Sequence, residues 1–365
     1  PRSTPKPSSA ASDVYKRQGS TAQKSRNRIH QKLLNQEIHI LIGTHAILED
    51  IVKFKNLGLA IIDEQHRFGV AQRAKLWKKN ISPPHILVMT ATPIPRTLAM
   101  SVYGDLDISI IKELPPGRKK TTTVHRYDKD RLSVYKFLKD QIKLGRQVYI
   151  VYPLINESEK LDYKDLVDGY ESMLRDFPRP EYQVGILHGK MKSIDKNIEM
   201  ERFVNNKTQI LVSTTVIEVG VNIPNASVMM IESSERFGLS QLHQLRGRVG
   251  RGNDESYCIL MTKDNLSNDA KTRTDTMVQI DDGFKLSEVD LKLRGPGDVL
   301  GTKQSGVLKF KIADIIHDHD ILSNARDCVS EILSNDPKLK SPSNSLIREY
   351  ISQSGKSKNL WRYIS

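Results

Sequence analysis

Cysteine is nearly absent: only Cys258 and Cys328 occur, far apart and with no Cys-x-x-Cys pair, which excludes a disulfide scaffold and a thiolate zinc site. No run approaches the roughly 18 consecutive apolar residues that a bilayer span needs, and no basic stretch followed by an apolar one opens the chain. Membrane insertion and secretion are unsupported, so the expected location is the cytoplasm. Acidic residues are outnumbered: 43 Asp and Glu against 56 Lys and Arg leave a formal charge of +13. That surplus makes a polyanion the first partner to consider, although many basic proteins bind no nucleic acid. What is present suffices for a core. At 365 residues and 38% apolar content, two domains and a tail are expected rather than a disordered chain.

Residues 1–18 hold three prolines and four serines without an apolar period, and read as a disordered or foreign leader. From Gly19 a helical pattern carrying Ile29, Leu33 and Leu34 leads into the apolar run Ile38–Ile42. Similar runs recur at Leu57–Ile62, His85–Met89, Gln147–Tyr152, Gln183–Leu187, Thr208–Val212, Ser227–Ile231 and Tyr257–Met261, with helical stretches such as Asp130–Leu144 and Ile194–Val204 between most of them. Strands apolar on both faces and separated by helices predict an α/β fold with parallel sheets covered on both sides. The Leu114-Pro115-Pro116-Gly117-Arg118 segment is the best linker, so domains are expected over 19–117 and 118–265 with a cleft between them. Beyond Lys263 the alternation fails and glycines cluster, which predicts a separate element over 266–310. A tail over 311–365 is expected to hold one helix, Ile321–Leu333.

The most informative string is Gly58-Leu59-Ala60-Ile61-Ile62-Asp63-Glu64-Gln65-His66, an apolar strand that stops at two adjacent carboxylates. Ligands of parallel sheets sit at the carboxyl ends of strands. There an aspartate can hold Mg²⁺ through water and a glutamate can orient the water that attacks a γ-phosphate. A charged turn is the plain alternative for an isolated Asp-Glu pair. A second strand, His85 onward, ends in Thr90-Ala91-Thr92-Pro93, whose hydroxyls can bond a neighbouring acidic loop. In Gln241-Leu242-His243-Gln244-Leu245-Arg246-Gly247-Arg248-Val249-Gly250-Arg251, the residues Gln241, Gln244, Arg248 and Arg251 follow the 3, 4, 3 spacing of one helix face. On such a helix Arg248 and Arg251 stand about 4.5 Å apart along the axis, close enough to grip a transferring phosphoryl group together. A solvated basic face is the alternative. Gly247 and Gly250 argue against it, because each costs roughly 1 kcal/mol in a helix and makes sense where another surface comes close.

Asp63-Glu64-Gln65-His66, Thr90-Ala91-Thr92 and Gln244 to Arg251 resemble motifs II, III and VI of superfamily 2 helicases, in order. The longer strings Asp63–Val70, Thr90–Leu98, Tyr103–Asp107 and Glu113–Arg118 resemble the RecG family of ATP-dependent DNA helicases, which regress stalled forks and migrate branched junctions. The resemblance runs from about Gly19 to about Ile315. It implies two RecA-like domains, the first incomplete, followed by a helical hairpin and loop. It implies ATP and Mg²⁺ as cofactors, branched or duplex DNA as partner, and a monomer. Asp63 would hold the metal and Glu64 would be the catalytic base, with Arg248 and Arg251 completing the catalytic set. Gln65, His66, Thr90 and Thr92 would couple nucleotide state to domain movement. Gln244, Glu218 and Gly220 would lie at the nucleotide. Thr44 and His45 would face DNA, as would Thr214 and Thr215 of a motif V-like string, although His45 also reads as a simple turn histidine. Asn222 stands where many relatives carry aspartate. Leu187–Met191 resembles motif IVa, with a packed strand end as the alternative. Asp282 to Gly306 resembles the translocation motif shared with the transcription-repair coupling factor, with Arg294 and Gln304 on DNA.

No Gly-x-x-x-x-Gly-Lys-Ser/Thr loop follows a strand; Ser354-Gly355-Lys356-Ser357 has Tyr350 where the first glycine belongs. In the family that loop and the wedge domain lie upstream of the residues matching Gly19. The chain is therefore expected to be the C-terminal part of a RecG-like protein, and by itself to hydrolyse ATP negligibly. A non-catalytic nucleic-acid-binding remnant and a relative of the coupling factor are the alternatives. The family reading further expects the paired acids and paired arginines to meet at one nucleotide.

Overall fold

A computed structural model describes residues 14–17, 22–64, 79, 83–90, 109–111, 113, 117–153, 159–214, 223–252, 254–294 and 318–353. The chain divides into two compact units, Pro1–Ala91 with Ser365, and Thr92–Ile364. That division falls earlier than the expected Leu114–Arg118 linker, of which only Gly117 and Arg118 are described. No helix among the described residues is long and apolar enough to cross a membrane.

In the first unit, strands β1 (Val14–Arg17) and β2 (Ile40–Gly43) pair in parallel, as do β3 (Leu59–Asp63) and β4 (His85–Met89). Helix α1 (Gln23–Leu34) buries Ile29 and Leu33 against Ile38 and Val52. One expectation is corrected here. Residues 14–17, assigned to the leader, form a strand, because Tyr15 supplies an apolar ring to the α1 cluster and accepts a hydrogen bond from Lys32 Nζ at 2.9 Å. The parallel pairing agrees with the expected α/β fold; among the described residues these strands form two two-stranded sheets.

The second unit is built on a six-stranded parallel sheet in the order β5-β10-β9-β6-β8-β7, comprising β5 (Thr121–Tyr127), β6 (Gln147–Tyr152), β7 (Val184–Leu187), β8 (Ile210–Thr214), β9 (Ala226–Ile231) and β10 (Ser256–Thr262). The period of two sends alternate residues to opposite cores. Tyr149, Val151, Leu211, Met229, Ile231, Cys258 and Leu260 face one layer; Val148, Ile150, Ile210, Val212, Val228, Met230, Ile259 and Met261 face the other. Helices α2 (Arg131–Lys143) and α3 (Glu159–Asp176) cover the second face through Val134, Leu138, Leu166 and Met173. The first face is covered by α4 (Ser193–Val204), α5 (Leu239–Arg246), α6 (Asn268–Gln279) and α7 (Gly283–Arg294), through Phe203, Leu242, Met277 and Leu286. The element expected to stand apart after Lys263 is thus corrected: α6 and α7 share the core of the sheet, because Met277, Leu286 and Leu291 are buried. Among the described residues two further helices follow, α8 (His319–Asn335), which contains the expected Ile321–Leu333 segment, and α9 (Ser345–Gln353).

Candidate active site

Strand β3 delivers Asp63, exposed, to its carboxyl end, and Glu64 follows in the left-handed region with φ 55°. A glutamate held there costs about 1–3 kcal/mol, a strain that persists only where its surroundings enforce it. The Glu64 N–H donates to Asp63 Oδ1 at 3.0 Å, which holds the Asp63 carboxylate against the backbone of the turn. The parallel register pairs Asp63 with Met89, so Thr90 lies at the adjoining strand end. Gly43 closes β2, and Thr44 and His45 follow it, exposed, at the start of a short 3-10 turn. Leu48 of that turn packs with Ile62, Ile86 and Val88, tying the end of β2 to β3 and β4. Gln65, His66 and Thr92 lie outside the described residues.

In the second unit the arginine string is not the continuous helix face that its spacing suggested. Helix α5 ends at Arg246, Gly247 is its C-cap, and Gly250 turns the chain with φ 74°. A Cβ at Gly250 would come within 2.8 Å of Thr121 Oγ1, so the loop lies against the start of β5 with no room for a side chain. Gln244 is half-buried on α5, whereas Arg248 and Arg251 sit half-buried on the loop. Arg251 Nε donates to the Gly247 carbonyl at 3.3 Å. Its pKa lies below the ordinary value, first because burial penalises the charge and then because Arg248 and Arg118 are close. Burial pushes the neighbouring Tyr149 phenol up to about 12.

The third arginine of the string does something the spacing did not reveal. Arg246 is 5% exposed and donates to the carbonyls of Met277 and Ile280 at 3.0 Å and of Asp281 at 3.1 Å. The clue was its place on the apolar stripe with Leu239 and Leu242. It also donates to His243 Nδ1 at 3.1 Å, and a guanidinium cannot accept, so the neutral imidazole carries its proton on Nε2. Burial first, and Arg246 second, push the His243 pKa down to about 4 from 6.5. The unfolded chain then binds more protons than the folded one between those values, so this residue's share of stability is full above pH 6.5 and is lost as pH falls toward 4. Melting curves from pH 7 to pH 4 should show the unmodified chain losing stability faster than His243→Asn; parallel curves would contradict the assignment.

At the carboxyl edge of the sheet Thr214 is 3% exposed, and neither its Oγ1 nor the Ser213 Oγ has a partner among the described residues. Arg131 binds both carboxylate oxygens of the buried Glu232 at the end of β9, with Asp128 on its second nitrogen at 2.7 Å, so this charge pair is satisfied internally. Thr215, Glu218, Gly220 and Gln304 fall outside the described residues; Arg294 closes α7, and its side chain is not among those described.

Three family models match in order: DEAD/DEAH box helicase over residues 8–101, helicase conserved C-terminal domain over 132–253, and ATP-dependent DNA helicase RecG, domain 3, C-terminal, over 280–365. Proteins named ATP-dependent DNA helicase RecG from Synechocystis sp. and Bacillus subtilis are each 50% identical, over 88% and 91% of this chain. The chain belongs to the RecG family. It spans 38% and 48% of the length of those two relatives. A solved structure of RecG bound to a three-way DNA junction is similar with a TM-score of 0.64 at 43% identity, over 86% of this chain and 40% of that one. The RecG-specific match takes in α7, α8 and α9, the helicase C-terminal match takes in the arginine loop, and the DEAD/DEAH match takes in the Asp63–Glu64 turn and begins inside the segment read as a leader.

Proposed function

We propose that this chain carries the catalytic acids and the arginine loop of an ATP-driven motor that acts on branched DNA, in fork regression and Holliday-junction migration during recombination and repair. The carrying observation is the turn at a strand end, within a DEAD/DEAH match, in which Asp63 caps the Glu64 N–H and Glu64 takes a left-handed φ. The relatives' name, and the junction held by the similar structure, supply the substrate class. In this reading Glu64 accepts a proton from the attacking water. Arg248 and Arg251 meet the charge that spreads over the transferred phosphoryl group, with Gln244, Glu218 and Gly220 beside the nucleotide. The exposed Asp63 carboxylate suits a hard cation, and bound Mg²⁺ would neutralise charge on the phosphate oxygens. Gln65, His66, Thr90 and Thr92 pass the nucleotide state to the rest of the motor. Thr44, His45, Thr214, Thr215, Arg294 and Gln304 face the DNA backbone; the hydroxyls of Ser213 and Thr214, which have no partner among the described residues, suit an arriving phosphate oxygen. The protein works as a cytoplasmic monomer.

Binding of the 365-residue chain to fluorescent forked DNA tests this through its salt dependence. If lysines and arginines of the basic chain neutralise six phosphates, affinity should fall on the order of 10³-fold between 50 and 200 mM salt. Affinity that stays flat across that range counts against a DNA-tracking surface.

A further inference from the structure

We infer that Arg118 is a third guanidinium of the phosphate grip, acting with Arg248 and Arg251 on the terminal phosphates of a nucleoside triphosphate. This rests on the reading of the arginine loop given above. Arg118 Nη2 donates to the Gly247 carbonyl at 3.5 Å, the same oxygen that Arg251 Nε reaches at 3.3 Å. Two guanidiniums converging on one neutral oxygen hold like charges within about 7 Å of each other, which is repulsive unless a counter-charge arrives. Among the described residues none of Arg118, Arg248 and Arg251 is in an ion pair, although Arg131, Arg202 and Arg246 are. All three are half-buried, so water screens the repulsion only in part. The backbone enforces the arrangement: the glycine loop packs on Thr121 at Gly250, and Thr121 opens the strand that Arg118 leads into. A site that gathers three partly desolvated guanidiniums and, among the described residues, no acid paired with them is matched by a polyanion with several adjacent oxygens.

Tripolyphosphate is the probe, titrated into the 365-residue chain by calorimetry and by thermal shift. Arg118→Gln should weaken its affinity about tenfold and Arg118→Lys by less, since lysine keeps the charge but not the fork. Without anion, Arg118→Gln should melt at the same or a higher temperature, because a repulsion is removed; a purely structural peg on Gly247 would lower it. Affinity within twofold of the unmodified chain overturns the inference, as does failure of the unmodified chain to bind tripolyphosphate at millimolar concentration. So does a loss confined to forked-DNA binding, which would assign Arg118 to the DNA backbone. If Arg248→Gln and Arg251→Gln weaken binding while Arg118→Gln does not, only this inference falls. If none of the three matters, the reading of the arginine loop falls with it.

Discussion

Glu64→Gln should lower ATP turnover by about 10²- to 10⁴-fold while leaving DNA affinity unchanged, the range set by loss of a positioned general base. The 365-residue chain is expected to turn over negligibly, so the measurement uses a chimera in which it replaces the matching part of the Bacillus subtilis relative, which supplies the remaining length. Glutamine has the shape of glutamate and the same cost at φ 55°, and the residue-64 N–H can still donate to Asp63 Oδ1, so the turn should survive. Only the ability to take a proton is lost. A control separates chemistry from strain: Glu64→Gly removes the left-handed penalty and should stabilise the first unit by roughly 1 kcal/mol, yet be as inactive as the glutamine variant. Turnover within tenfold of the unmodified chimera would remove Glu64 from the role of base.

That turn was legible in the sequence because an apolar strand running into two acids is a local pattern. The same holds for the six-stranded sheet: β6, β8 and β9 are buried almost throughout, and their near-continuous Val, Ile, Leu and Met runs are what burial on both faces demands. Strand β5 escaped because it lies at the sheet edge. Its Thr121-Thr122-Thr123-Val124-His125-Arg126-Tyr127 string is β-branched and aromatic rather than apolar, as a strand half in water can be. The arginine string misled for the opposite reason. A 3, 4, 3 count continues through glycines, but a real helix need not. Gly247 caps α5 and Gly250 takes a φ open to glycine, so the two outer arginines leave the helix while Arg246 remains on its buried stripe. The expected separation of the segment after Lys263 failed similarly. Loss of a strand–helix rhythm reports only that strands have ended, whereas α6 and α7 return to the sheet's own core.

Arg246→Met should destabilise the second unit by about 3–5 kcal/mol, the cost of leaving buried polar groups without their charged partner. The side chain is of similar length and apolar, so little volume is lost; what disappears is the set of bonds to Met277, Ile280 and Asp281. These carbonyls lie at the corner where α6 ends and the chain turns into α7, so Arg246 substitutes for the partners that the end of α6 would otherwise lack. Its charge is balanced by few groups. The nearby Cys258 thiol is pushed up to about 12 by complete burial and stays neutral. The half-exposed Asp281 carboxylate, at 3.5 Å, supplies the only ion pair this arginine makes among the described residues. Lysine should rescue little, since one ammonium cannot span three carbonyls and an imidazole as a planar fork does. At roughly 2–4 °C per kcal/mol for a unit of this size, the melting temperature should fall by about 10 °C. Hydrogen exchange should locate the damage, with α6 and α7 losing amide protection before β6, β8 and β9 do. A loss below about 1 kcal/mol in urea titrations would mean that water replaces the guanidinium at that corner and that Arg246 does not hold the helix pair to the sheet.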